Sequence, residues 1–186
     1  MTRTQQIISL MRHPNALTVY RIIATPGIVI LLMFPSRLTT FLAAWLFIAA
    51  AVTDFFDGFL ARRRGLVSDL GKVLDPLADK VLVCSSLIML SSLNWIPAWL
   101  VCIIIAREMA VSGLRGISAE KVDVSATQLG KYKTGFQIAA IIPLLFHYPY
   151  FGLNLDAIGN FLLWIALIFT LWSGVDYFRK FFRAIL

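Results

Sequence analysis

The chain has 186 residues, 59% of them hydrophobic, and its 17 Lys and Arg against 10 Asp and Glu leave a net charge of +7. Its mean hydropathy of +0.81 lies well above that of soluble proteins, in which roughly 45–50% of residues are apolar, so an ordinary water-soluble domain is excluded and an integral membrane protein is expected. This length accommodates five or six spans with short loops, and hence a single domain over residues 1–186.

Residues 2–11 mix Arg3, Gln5 and Gln6 with Ile7, Ile8, Leu10 and Met11, which suits either a short interfacial amphipathic helix or an unstructured tail. Apolar segments follow at about 17–34, 39–60, 73–93, 96–118, 131–150 and 157–178, giving an all-α reading with six transmembrane helices. No cleavable signal peptide is expected, because the first apolar run is long and no small-residue cleavage site follows it. No appended soluble domain or internal repeat is evident. The third segment begins inside an acidic stretch and the fourth contains Arg107 and Glu108, so their polar parts must face protein or water rather than lipid. Cys84 and Cys102 lack the spacing of a redox pair or a zinc site and read as packing residues.

With six spans, 16 of the 17 basic residues fall on the amino-terminal side, Arg37 being the exception. That asymmetry predicts a multi-pass membrane protein with both termini and the acidic stretch at the cytoplasmic face. Nine of the ten acids lie on the same side, Asp156 being the exception. The basic face suits anionic lipid in the bilayer, which accounts for Arg179, Lys180 and Arg183. No nucleic-acid partner is expected.

Four of those acids form a pattern: D-x-x-D-G-x-x-A-R from Asp54 to Arg62, then G-x-x-x-D-x-x-x-D from Gly71 to Asp79. Near apolar runs, carboxylates are costly and mark function. At about 100° per residue, Asp54, Asp57, Gly58 and Ala61 share one helix face, as do Gly71, Asp75 and Asp79 on the next. Such like charges need a cation between them, and hard divalent ions select carboxylate oxygens. Gly58, Ala61 and Gly71 allow close approach of a backbone or of phosphates. The plainer reading is a solvated loop, or acids paired with the arginines at 62–64, but a solvated loop has no reason to keep helical spacing.

A second cluster, Arg107, Arg115, Lys131 and Lys133, lies around one short connection. It either grips a phosphate-bearing ligand or pairs internally with Glu108, Glu120 or Asp123. Intramembrane acids also fit a cation or proton transporter, although that needs a charged path to both faces, and the opposite loops are nearly uncharged.

Asp54, Asp57, Gly58, Ala61, Arg62, Gly71, Asp75 and Asp79 match in type and spacing the signature of the CDP-alcohol phosphatidyltransferases, and the chain resembles that family over essentially its whole length. The resemblance implies a six-helix, often dimeric membrane fold with a cytoplasm-facing site. It implies two divalent cations, Mg2+ or Mn2+, and transfer of a phosphatidyl group from CDP-diacylglycerol to an alcohol with release of CMP. By the same resemblance Asp54, Asp57 and Asp75 are metal ligands, and Asp79 is the general base, which also touches a metal. Gly58 and Arg62 hold the cytidine diphosphate, with Ala61 and Gly71 packed beside it. Asn15 and Thr18, with Arg21, either reach the nucleotide or, for the first two, cap the first helix. The stretches P-N-A-L-T-V-Y-R (Pro14 to Arg21), A-R-E (Ala106 to Glu108) with Arg115, and G-K-Y-K-T (Gly130 to Thr134) resemble members that use glycerol 3-phosphate. In that reading Arg107, Arg115, Lys131 and Lys133 bind the acceptor's phosphate, and Glu108 orients Arg107, touches a glycerol hydroxyl or forms a plain ion pair. An inositol phosphate acceptor needs similar cations and stays open as the rival.

Overall fold

A computed structural model describes residues 14–64, 69–118, 128–149 and 152–185, with side chains for 19–53, 74–114, 130, 132–149 and 152–183. The expected amino-terminal interfacial helix lies outside these residues. Among those described the fold is all-helical. The helices are α1 (Pro14–Met33), α2 (Arg37–Arg64), α3 (Asp69–Ser92), α4 (Ala98–Ser118), α5 (Gln128–Phe146) and α6 (Leu155–Ile185). They belong to two compact units, Met1–Met89 and Leu90–Leu186.

The helix boundaries follow local chemistry. Before α2, the Ser36 hydroxyl accepts from the Thr39 amide at 3.2 Å while the Thr39 hydroxyl accepts from the Ser36 amide at 2.8 Å, a reciprocal cap on the first turn. α3 stops at Asn94, whose φ of 60° is the left-handed conformation that Asn tolerates. There the Trp95 amide donates to the Leu90 carbonyl at 3.1 Å and the Asn94 amide to the Ser91 carbonyl at 2.9 Å, the bond pair of a Schellman ending. Asn154 caps α6 through the Ala157 amide at 3.1 Å. α5 ends four residues short of the expected position because His147 turns to a φ of 51°. The His147 ring stacks on Trp95 at 3.7 Å between centroids, and its Nδ1 lies 3.3 Å from Asp156.

In the first unit α1 packs on α2. Ala24, Ile28 and Leu32 repeat every four residues along α1, and Ala43, Ala44, Phe47 and Ala50 form the buried stripe of α2. Gly27 lets the two helices close up, since a β-carbon there would meet Leu46 Cδ2 at 3.1 Å. In the second unit α6 packs on both α4 and α5, burying Ile104, Ala140, Ile141, Leu144, Leu163, Ala166 and Leu167.

Large apolar residues also cover the outside, among them Ile23, Met33, Trp45, Ile168, Trp172 and Phe182, which suits a lipid solvent better than water. Among the described residues one helix, over Leu155–Arg183, is long and apolar enough to cross a bilayer. Val19–Met33, Arg37–Thr53 and Tyr132–Phe146 are shorter apolar helices. α2 and α3 carry the acidic motif within the helix, and α4 carries Arg107 and Glu108.

Candidate active site

In the first unit the acidic motif is helical throughout its described length. Asp54, Asp57, Gly58, Ala61 and Arg62 lie on α2, which continues unbroken to Arg64, and Gly71, Asp75 and Asp79 lie on α3. The continuity of both helices is what the three- and four-residue spacings require for one-face placement. The side chains from Asp54 to Arg62, and that of Gly71, lie outside the described residues. So do those of Asn15 and Thr18, on the first turns of α1.

Asp75 and Asp79, one turn apart, share a counter-ion on α1. The Arg21 Nη1 group donates to Asp79 Oδ1, and Nη2 lies 3.7 Å from Asp75 Oδ1. The Arg21 side chain is 3% exposed, whereas Asp75 and Asp79 are 39% and 41% exposed. The cation is therefore the buried partner, and the carboxylates keep an accessible side. Arg21, expected at the nucleotide or diphosphate side of the cavity, sits against Asp75 and Asp79. Thr25 donates to the Arg21 carbonyl at 2.9 Å.

The carboxylate oxygens of Asp75 and Asp79 fit a hard divalent cation in donor type. Among the described residues no three His, Cys, Asp or Glu side chains come together as a metal-binding group. The expected ligand set includes Asp54 and Asp57, whose side chains are not described.

In the second unit α4, α5 and α6 converge on a buried charged cluster. Glu108 Oε1 accepts from Lys133 Nζ, and from Arg107 Nη1 at 3.3 Å. Glu108 and Lys133 are 7% and 4% exposed. Burying these charges is tolerable because they are paired and hydrogen-bonded. Of the two readings of Arg107 and Lys133, the internal pairing with Glu108 is therefore realised. Arg107 and Lys133 are thereby brought together at one carboxylate. Glu120 and Asp123 lie outside the described residues. Arg115 is on α4 and Lys131 on α5, with side chains outside the described set.

Sequence reasoning missed the α6 side of this cluster. Arg107 Nη2 donates to Ser173 Oγ at 2.9 Å, and Ser173 Oγ donates to the Thr170 carbonyl at 3.2 Å. Gln137 Nε2 lies 3.5 Å from Thr170 Oγ1. The signal was available: Thr170, Ser173, Gly174 and Tyr177 follow helical spacing in an otherwise apolar run, and Gln137 is one turn after Lys133.

The acidic helices, the basic cluster and the motif spacing together define one class of protein. The chain belongs to the CDP-alcohol phosphatidyltransferase family, whose sequence model matches residues 11–172. Among curated proteins it is 42% identical over 185 residues to the CDP-diacylglycerol–glycerol-3-phosphate 3-phosphatidyltransferase of Bacillus subtilis (strain 168), covering 92% of this chain and 96% of that one. Proteins of the same name from Rickettsia bellii (strain RML369-C) and Shigella flexneri serotype 5b (strain 8401) are 44% and 37% identical. They cover 89% and 88% of this chain, and 93% and 91% of their own lengths.

Proposed function

We propose that this chain is a transferase of phospholipid biosynthesis that moves the phosphatidyl group of CDP-diacylglycerol to the primary hydroxyl of sn-glycerol 3-phosphate, releasing CMP. The observation that carries this reading is the near full-length similarity to relatives bearing that activity's name, at 37–44% identity. The juxtaposition of Arg107 and Lys133 at Glu108 agrees with an acceptor that carries its own phosphate.

In this mechanism Asp54, Asp57, Asp75 and Asp79 would hold two divalent cations, Mg2+ or Mn2+. When bound, such ions neutralise the developing charge on the donor's diphosphate. Asp79 takes the proton of the acceptor hydroxyl. The resulting oxygen bonds to the diacylglycerol-bearing phosphorus as the bond from that phosphorus to CMP breaks. Arg21 fixes the carboxylate of Asp79 from behind, leaving its other side toward substrate. Gly58 and Arg62, with Ala61 and Gly71 beside them, hold the cytidine diphosphate, and Asn15 and Thr18 reach the same ligand. Arg107, Arg115, Lys131 and Lys133 bind the acceptor's phosphate, with Glu108 orienting Arg107 and Lys133.

The same reading takes residues 1–186 as one domain of six transmembrane helices preceded by an interfacial helix, working as a homodimer. It sits in the inner membrane with termini and site cytoplasmic. Charge asymmetry supports the orientation, with 16 of 17 basic residues on one side.

The test is CMP release by purified protein given CDP-diacylglycerol and Mg2+ with glycerol 3-phosphate, inositol phosphate or serine in parallel. Release with glycerol 3-phosphate alone, and a lipid product of the matching mass, is the expected result. Preference for inositol phosphate would transfer the reading to the rival acceptor. A nucleotide-independent cation flux in proteoliposomes would support transport.

A further inference from the structure

Arg107 is held by two neighbouring residues of α6 that no acceptor contact explains. Ser173, fully buried, accepts from Arg107 Nη2 at 2.9 Å. Its own hydroxyl proton is already placed on the Thr170 carbonyl at 3.2 Å, as serines in apolar helices commonly do. Ser173 therefore has its own helical partner, and the contact with Arg107 serves the arginine. Gly174 supplies the second half. A β-carbon there would meet Arg107 Cγ at 3.3 Å and Nε at 3.6 Å, so the arginine stem runs close over the bare backbone. Glu108 takes Nη1 at 3.3 Å, so both terminal nitrogens are engaged while the stem lies on Gly174. A guanidinium gripped in this way keeps the plane of its fork, and phosphate recognition by Arg depends on that plane. Both α6 positions lie immediately beyond the residues 11–172 that the family's sequence model matches.

We infer that Ser173 and Gly174 are positioning residues that seat Arg107 and thereby set the enzyme's affinity for the acceptor's phosphate. The inference rests on the proposed role of Arg107 toward glycerol 3-phosphate. Neither residue is assigned contact with substrate; both act through the arginine.

The experiment measures KM for glycerol 3-phosphate, KM for CDP-diacylglycerol, kcat and detergent melting temperature for Ser173→Ala, Arg107→Ala, the double variant and Gly174→Ala. Losing a hydrogen bond to a charged group should raise the glycerol 3-phosphate KM roughly tenfold in Ser173→Ala. The CDP-diacylglycerol KM should stay within about twofold, because uniform damage to the fold would move both. Arg107→Ala should raise the acceptor KM further, and adding Ser173→Ala to it should change nothing more, since the residue acted upon is gone.

Gly174→Ala should raise the acceptor KM about threefold without lowering the melting temperature, because Ala is the better helix former. If Ser173→Ala fails to fold, this variant carries the test, and an unchanged acceptor KM in it overturns the inference. An unchanged acceptor KM in Ser173→Ala beside a raised one in Arg107→Ala overturns the seat but spares the acceptor reading. Effects of Ser173→Ala and Arg107→Ala that multiply in the double variant also overturn it. An unchanged acceptor KM in Arg107→Ala removes the acceptor role of Arg107 and the inference with it.

Discussion

Glu108→Gln is the sharpest probe of how the second unit holds its charges. The change keeps size and a hydrogen-bond acceptor but removes the negative charge that Glu108 presents to Lys133 and Arg107. The three side chains are 9%, 6% and 13% exposed, so water cannot replace the lost carboxylate. At the 3.3 Å separation of Arg107 and Glu108, a unit-charge attraction is about 5 kcal/mol at an effective dielectric near 20. Removing one member of a buried pair typically costs about 3–5 kcal/mol. The acceptor oxygen retained by Gln argues for the lower end, about 3 kcal/mol, or a fall of roughly 6–12 °C in melting temperature for a chain of this size. The control is Lys180→Ala. That residue pairs with Asp176 at 2.8 Å, but at 51% and 29% exposure, and should contribute no more than about 0.5 kcal/mol. Adding Lys133→Met to Glu108→Gln removes one stranded cation and should recover part of the loss. Thermal unfolding followed by helical circular dichroism in one detergent measures all three. A Glu108→Gln protein that melts within 2 °C of the parent, about the limit expected of the surface control, would refute the claim that burial makes this pairing matter.

Three further outcomes follow from the described geometry. Asp79→Asn should abolish CMP release while CDP-diacylglycerol binding persists, and normal turnover would remove Asp79 as the base. Arg21→Gln takes away the guanidinium that shares the oxygens of Asp75 and Asp79, so stabilisation against heat by Mn2+ should appear at lower metal concentration; a shift to higher concentration would mean that Arg21 assists the metal. Gly159→Ala would place a β-carbon 2.5 Å from Leu144 Cγ and 3.0 Å from its backbone nitrogen. That overpacking should cost about 1–3 kcal/mol and lower the melting temperature, whatever the activity.

Much of the architecture was legible in hydropathy, with the largest departures at helix ends where polarity and helicity part company. α2 runs to Arg64, four residues past the apolar segment expected to end at about 60, because a helix ends where its backbone bonds end, not where its side chains become polar. α6 continues past the expected 178 to Ile185 for the same reason. The early end of α5 depends on a backbone turn at His147 backed by Trp95 and Asp156, long-range contacts that no local pattern encodes. In the candidate site, residue type and spacing singled out Asp75, Asp79, Arg107, Glu108 and Lys133 as expectations, and the structure shows which of them touch. Which charge faces which was not legible. The pairing of Arg21 with Asp79 spans 58 residues, and that of Arg107 with Ser173 spans 66. Ser173 and Gly174 were overlooked because small residues in an apolar helix ordinarily mark helix packing.

The buried cluster of α4, α5 and α6 also bears on how this enzyme could change its acceptor. Large apolar side chains are exposed across much of the outer surface, and in a lipid solvent hydrophobic burial drives helix association only weakly. The bonds joining Glu108 to Lys133, and Arg107 to Ser173, therefore fasten the helices as well as arrange charge. Replacing these residues one at a time to accommodate another alcohol would loosen the unit before any new contact formed. Evolution or engineering of acceptor choice should thus proceed by concerted substitutions within the cluster, or from positions around it that leave the fastening intact.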